Sequence, residues 1–219
     1  MPEKKAGESI LPITHYRANR ERRGYVTRSA MASTAIGPLS KETGWTIITN
    51  GRFSMIDAIR HVLSQTGPAH LLVTTWVPGM QEVVDLADLR DARAVLSLRF
   101  VVDRGFFSTR EAKAAEFQRL VGSADIRISS NHAKVATIRN ADWDFCLRGS
   151  LNLNANHRAE NLDGDNDAGL CDALESLYSA LPQLETQTGA EREFEAVMGS
   201  PKWEKRLAAR MKRVEAIRG

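Results

Sequence analysis

Cysteine is scarce in this sequence, and long apolar runs are missing from it. The two cysteines, Cys146 and Cys171, are too few for a disulfide framework or a cysteine-based zinc site. They indicate a reducing compartment or two small buried hydrophobic residues. No run approaches the roughly 20 apolar residues that a membrane-crossing helix needs. The first residues, MPEKKAGESILP, also lack the apolar core of a signal peptide. We therefore expect a soluble, cytoplasmic protein without a membrane partner.

The sequence also lacks internal repeats, low-complexity tracts and a complete calcium loop. Asp163, Asp165 and Asp167 resemble the start of such a loop, but its twelfth position is Leu174 instead of glutamate. The aspartates are better interpreted as caps of the helix that follows. No metal or other cofactor is expected.

The overall composition is that of a globular protein with a basic surface. The length of 219 residues predicts one domain with extensions. The hydrophobic fraction of 42% is ordinary and supports a packed core. The formal net charge is +3 and the pI is near 9.0. This charge suits a nucleic-acid partner and equally suits an ordinary solvated surface.

Residues 1–40 are predicted to be a weakly ordered, basic arm. Tyr16 and Tyr25 lie among its charges, and a basic arm with aromatic side chains can bind a phosphate backbone and stack on bases. A solvated or partner-docking tail is the alternative. The candidate nucleic-acid contacts are Arg17, Arg20, Arg22, Arg23 and Arg28.

Residues 41–182 show apolar strand patterns that alternate with helical ones, which predicts an α/β sandwich. Its mostly parallel, mixed sheet would be flanked by helices on both faces. The predicted strands are Trp45–Thr49, His70–Val77, Ala94–Val102, Asp125–Ile128, Lys134–Arg139 and Phe145–Arg148. The predicted helices run from Ser54 to Ser64, Gln81 to Ala92, Thr109 to Val121 and Asp167 to Leu181.

Residues 183–219 form a basic extension with an apolar stripe at helical spacing. The pattern favours a helix that docks on its own domain or on a partner subunit, and direct nucleic-acid contact is the alternative.

The segment from Asn131 to Asn161 carries the candidate chemistry. It contains an H-x-K pair, a G-S-x-N tetrad and a glutamate, supplied by His132, Lys134, Gly149, Ser150, Asn152 and Glu160. A strand that starts after the pair and returns at the tetrad would bring these groups to one end of the sheet. An imidazole, a fixed cation, two neutral polar groups and a carboxylate suit metal-free attack on a phosphodiester.

This segment resembles the HKD motif of the phospholipase D superfamily, in which H-x-K-x4-D precedes G-S-x-N and a downstream glutamate. The chain resembles members of the family that carry one motif and act as nucleases, among them phage-type proteins. Together with the order of strands and helices, the resemblance covers about two thirds of the chain. It departs at the motif aspartate, where Arg139 stands five residues after Lys134. That aspartate supports the site in the family, so its replacement puts the efficiency of catalysis in question.

The resemblance implies a site shared by a homodimer, since the family combines two motif copies and this chain has one. His132 of one copy would attack phosphorus and form a phosphohistidine, and His132 of the other would protonate the leaving oxygen. Lys134 and Asn152 would hold the non-bridging oxygens, and Ser150 would add a hydrogen bond. Glu160 would orient an imidazole.

Three functions remain open from the sequence. The favoured one is a metal-independent phosphodiesterase, an endonuclease-like enzyme acting on DNA or RNA. A catalytically weak or inactive nucleic-acid-binding module is the alternative, because Arg139 replaces the motif aspartate. A phospholipid hydrolase or transferase is less favoured, since it would be expected to carry two motif copies and an apolar membrane-facing surface.

Overall fold

The computed structural model describes residues 21–155, 157–184 and 201–218. Its strands are β1 (Arg22–Val26), β2 (Gly44–Thr49), β3 (Ala69–Thr75), β4 (Val95–Asp103), β5 (Ile126–Ser129), β6 (Val135–Arg139), β7 (Asp144–Gly149) and β8 (Glu160–Asn166). Its helices are α1 (Ala32–Ile36), α2 (Met55–Thr66), α3 (Met80–Asp91), α4 (Arg104–Thr109), α5 (Glu111–Val121), α6 (Ala168–Ala180) and α7 (Pro201–Arg218).

The strands of the described residues form one mixed sheet in the order β1-β2-β8-β7-β6-β3-β4-β5. The β1–β2, β3–β4 and β4–β5 pairs are parallel. The β2–β8, β8–β7, β7–β6 and β6–β3 pairs are antiparallel. Within the described part of the chain, β6 and β8 therefore run against all other strands. This arrangement confirms an α/β fold with a mixed sheet, and the reversed strands lie in its centre.

Helices cover both faces of the sheet, as the alternation of the sequence predicts. The larger core packs α1, α2, α3 and α5 against one face. Leu71 and Val73 of β3 point into this core, whereas Leu72 points to the opposite face and packs near Tyr178 of α6. This division follows from the two-residue period of a strand.

Local capping signals set the helix boundaries close to the predicted ones. Ser54 accepts the backbone N–H of Asp57, and Asp57 in turn accepts the N–H of Ser54, which completes a capping box at the start of α2. The helix predicted from Thr109 to Val121 is α5, which begins two residues later at Glu111. Arg110 has non-helical dihedral angles and separates α5 from α4, a short helix that was not predicted.

The prediction of a weakly ordered arm is wrong for residues 22–36. Arg22–Val26 is the edge strand β1, paired with β2, and Ala32–Ile36 is helix α1, which buries Ala32, Ala35 and Ile36. Five residues with two arginines and one glycine give little apolar alternation, so pairing with β2 decides this strand. Arg17, Arg20 and Tyr16 lie outside the described residues.

Strand β8 is also absent from the sequence prediction, because ENLDGDN is polar. Arg22 forms ion pairs with Asp163 (2.9 Å) and with Asp165 (2.8 Å), and Arg148 lies 3.4 Å from Asp165. The interpretation of these aspartates as helix caps is therefore wrong for Asp163 and Asp165. It is confirmed for Asp167, which accepts the N–H of Leu170 at the start of α6.

Helix α7 docks against α3 of its own domain. Arg213 donates to Asp88 at 2.9 Å, where Asp88 is only 2% exposed, and Val214 is buried beside it. The docking agrees with the favoured interpretation of the basic extension as a packed helix.

The two cysteines behave as small hydrophobic residues. Both Cys146 and Cys171 are free and fully buried, and burial raises the pKa of the Cys171 thiol far above its usual range. No helix of the described chain combines the length and the hydrophobicity that crossing a membrane would require.

Candidate functional site

The candidate residues lie at one end of the strands, where β3, β4 and β7 finish and the reversed strands β6 and β8 begin. We call this end of the strands the sheet edge. His132 and Lys134 precede β6, Ser150 follows β7, and Glu160 opens β8. The carbonyl of Lys134 accepts the N–H of Gly149 at 3.2 Å, so the start of β6 and the end of β7 are in direct contact. The structure thus places the pair and the tetrad side by side, as expected.

The loop that carries His132 is anchored on both sides. Asn131 donates its backbone N–H to Asp103 at 3.0 Å and its side-chain amide to the carbonyl of Thr75 at 2.9 Å. After the histidine, the Thr74 hydroxyl donates to the carbonyl of Ala133 (3.2 Å) and accepts the N–H of Val135 (3.1 Å). The ends of β3 and β4 therefore fix the backbone around His132.

The imidazole of His132 is exposed and packs on Trp76. The two ring centroids are 5.2 Å apart, with the planes tilted by 47°. Lys134 lies nearby, since its Nζ is 3.5 Å from the His132 carbonyl oxygen, a long contact that leaves the ammonium group able to bind an anion. No hydrogen bond of the described residues engages the His132 ring nitrogens.

Ser150 and Glu160 form a local unit that does not include His132. The Ser150 hydroxyl donates to the Glu160 carboxylate and accepts the N–H of Asn161 at 3.0 Å. The Ser150 N–H donates to the carbonyl oxygen of Asn161 at 3.1 Å. The family resemblance implies that Glu160 orients an imidazole, whereas its hydrogen-bond partner within the described chain is Ser150.

Gly149 is required by the close approach of β7 and β8. A Cβ atom at this position would lie 2.2 Å from the carbonyl oxygen of Asn161 and 2.9 Å from its carbonyl carbon. Both are backbone atoms, which cannot move aside as a flexible side chain can. The glycine of the G-S-x-N tetrad thus allows the Ser150–Glu160 unit to form.

Asn152 connects the site to α2 through its backbone. Its carbonyl accepts the N–H of Met55 at 2.9 Å, in the first turn of α2. The N-terminus of α2 therefore points at this edge of the sheet and adds the positive end of its dipole. The side chain of Asn152 is half-buried and has no hydrogen bond to another described residue.

Four exposed arginines lie at or just beyond the same end of the strands as the motif residues, and one of them, Arg28, was predicted from the sequence. We call them, together with Lys134, the basic rim. Its members follow strand ends or precede β8, and they are Arg28, Arg52, Arg104 and Arg158. No acidic side chain of the described residues forms an ion pair with these four arginines. A sequence signal did exist for the other three, because Arg52 and Arg104 closely follow predicted strands and Arg158 lies within the motif segment.

The arginines predicted to bind nucleic acid divide differently in the structure. Arg22 forms ion pairs with Asp163 and Asp165 and lies at the opposite end of the strands from the motif residues. Arg23 is exposed on β1, and Arg28 belongs to the basic rim. Among the described residues of the predicted arm, Arg28 is thus the cation that lies beyond the same end of the strands as the motif residues.

Arg139 lies at the opposite end of β6 from the motif histidine. Five residues at roughly 3.3 Å each separate it from Lys134, or about 16 Å along the strand. Its guanidinium is 2.6 Å from Asp144 and 2.9 Å from Asp172. The departure from the family pattern is therefore a structural ion pair that joins the β6–β7 hairpin to α6.

Metal-binding side chains are not clustered here. The described ranges contain no group of three or more histidine, cysteine, aspartate or glutamate residues placed to hold a metal ion.

The chain matches no known protein-family model. It also matches no curated protein. Among solved structures it is similar to the polyphosphate kinase from Porphyromonas gingivalis, with 12% sequence identity and a TM-score of 0.41. The similarity covers 65% of this chain and 23% of the kinase, so the chain spans less than a quarter of that protein. A likeness of this size carries no argument about activity.

We predict that Gly149→Ala destabilises the protein by about 2 kcal/mol or more, because the added methyl group overlaps the Asn161 backbone. Urea unfolding followed by circular dichroism measures the change. Gly24→Ala is the matched control, since a Cβ on this strand glycine meets nothing within 4 Å. Equal unfolding midpoints for the two variants would contradict the close approach of β7 and β8.

We predict that restoring the family's aspartate, in Arg139→Asp, lowers the free energy of unfolding by about 1 kcal/mol or more, because it removes an ion pair and adds a like charge. It should leave nucleic-acid binding unchanged, since the position is remote from the basic rim. Arg139→Gln separates loss of the pair from added repulsion and should be less destabilising. Improved binding or cleavage by Arg139→Asp would show that position 139 acts in the site.

Proposed function

We propose that this protein is a metal-independent phosphodiesterase that cleaves nucleic acid at a site shared by two identical chains. The observation that carries the proposal is the position of His132, Lys134, Ser150 and Glu160 at one sheet edge, which also carries the basic rim. Exposed arginines and Lys134 at the same sheet edge as an exposed imidazole suit a phosphate group whose negative charge increases as it is attacked. The HKD-like order of these residues supports the same reaction class.

The chemistry divides into two displacements at phosphorus. In the first, an imidazole nitrogen of His132 bonds to phosphorus as the bond to the leaving oxygen breaks, and the second copy's His132 gives that oxygen a proton. In the second displacement, the imidazole of the second copy's His132 removes a proton from water. The resulting hydroxide displaces the first histidine and restores both groups. Lys134 and the Asn152 amide would stabilise the non-bridging oxygens.

Two copies are proposed because the family that the motif resembles combines two motif copies at one site, and the described residues of one chain carry one. Within the described residues, His132 is the imidazole that lies beside Lys134, and Glu160 is bound to Ser150. A two-fold axis at this edge would bring a second His132 opposite the first. It would also let each Glu160 contact the other chain.

A binding module without turnover is the second candidate. It is favoured by the absence of a hydrogen bond between His132 and any carboxylate of the described chain. A histidine without such a partner is poorly oriented for general acid–base catalysis. The basic rim would still hold phosphates in that case.

We predict that wild-type protein cleaves labelled DNA or RNA in EDTA, and that His132→Ala slows cleavage about a thousandfold or more, because the nucleophile is lost. Gel analysis of single- and double-stranded substrates measures the products. His70→Ala is the control, since His70 is an exposed histidine at the opposite sheet edge. Binding without cleavage by the wild type would favour the second candidate.

We predict a quadratic loss of activity when wild-type and His132→Ala chains exchange subunits. If both histidines serve one site, an equal mixture retains about a quarter of the activity of the same amount of wild type. Independent sites would retain about half. The activity of the co-refolded mixture is divided by that of the same total amount of wild-type protein. A mixture of wild-type and His70→Ala chains serves as the reference for full activity. A linear dependence on the wild-type fraction would exclude the shared site.

A further inference from the structure

Trp76 is a large aromatic side chain that does not serve the core. It is 51% exposed, whereas Trp45 is only 5% exposed and packs near Phe145. Trp76 directly follows β3, which places it at the same sheet edge as the motif residues. Its ring contacts His132 with one side, and half of its surface faces solvent.

The backbone of Trp76 is held in place. Its carbonyl accepts the N–H of Asp103 at 3.4 Å, and the preceding carbonyl of Thr75 accepts the Asn131 amide at 2.9 Å. Asp103 also binds the backbone of Asn131. The loop that carries the proposed nucleophile and the residue that carries the indole therefore share one hydrogen-bonded network.

We propose that Trp76 is a stacking platform for a nucleobase next to the scissile phosphate, so that the substrate is single-stranded or locally unpaired nucleic acid. The inference rests on the proposed function in taking nucleic acid as the ligand and the phosphate bound beside His132 as the one that is cleaved. A rigid, exposed indole stacks on any base, because every base has an apolar face. A base in a duplex is already stacked on its neighbours and would have to leave the helix first.

The basic rim supports the same ligand. Arg104 follows β4, the neighbour of β3, and Lys134 precedes β6 on the other side of β3. Cations on both flanks of the aromatic ring can bind the phosphates before and after the stacked base. An aromatic side chain between cations is the arrangement that binds single strands without sequence preference.

Support of the His132 ring is the competing role for Trp76. A purely supporting indole would change the rate of cleavage but not the affinity for a base. Removal of the base from the ligand therefore separates the two roles, since an abasic strand keeps its phosphates and loses only the stacking partner.

The experiment measures binding of a fluorescein-labelled 12-nucleotide single strand by anisotropy, with an abasic strand of equal length as its partner. Loss of a stacked base should weaken binding about 5- to 150-fold. We expect this loss in Trp76→Ala with the normal strand, no further loss with the abasic strand, and near-complete rescue in Trp76→Phe. Leu96→Ala is the control, because Leu96 is also 51% exposed but lies at the opposite edge.

Equal affinity of wild type for normal and abasic strands, or equal losses on both strands in Trp76→Ala, would overturn the platform. Tighter binding of a duplex than of the single strand would also overturn it. These readouts do not depend on cleavage. A protein that binds through Trp76 but cleaves nothing would therefore retain the platform and lose the proposed catalysis.

Discussion

The antiparallel pairing of β6 with β3 is the constraint on which the site depends. It reverses the chain, so that β6 begins where β3 and β4 end. The hydroxyl of Thr74 is central to this junction, because it bonds to the backbone on both sides of Lys134. β7 then returns to the same edge and β8 leaves from it. Residues from separate parts of the sequence thus share one short stretch of sheet edge.

Charge is distributed unevenly over this framework. Asp163 and Asp165 of β8 form ion pairs with Arg22 and Arg148, and the far end of β6 holds the Arg139 ion pairs. Acidic side chains thus form ion pairs with arginines along the strands, whereas the arginines of the basic rim are exposed. A net charge of only +3 can therefore coexist with several exposed cations at one end of the strands. The position of the charges, more than their sum, favours an anionic ligand.

The sequence predicts the elements that bury apolar side chains. Strands such as β3 and helices such as α2 carry clear periodicity and caps, and both appear close to their predicted bounds. It does not predict β1 and β8, whose residues are mostly polar or charged. These strands form because neighbouring strands accept their backbone hydrogen bonds and because the ion pairs of Arg22 compensate for burying Asp165.

The site shows the same division. The residue types and the spacing of the motif are local properties, so the sequence alone identifies His132, Lys134 and the glycine–serine turn as neighbours across two strands. The partners of those groups are not local. That Glu160 binds Ser150, that Trp76 packs on the imidazole, and that Arg139 lies at the remote end of β6 follow from the strand order. Hydrophobic periodicity encodes the elements, whereas long-range pairing of polar strands decides which side chains meet.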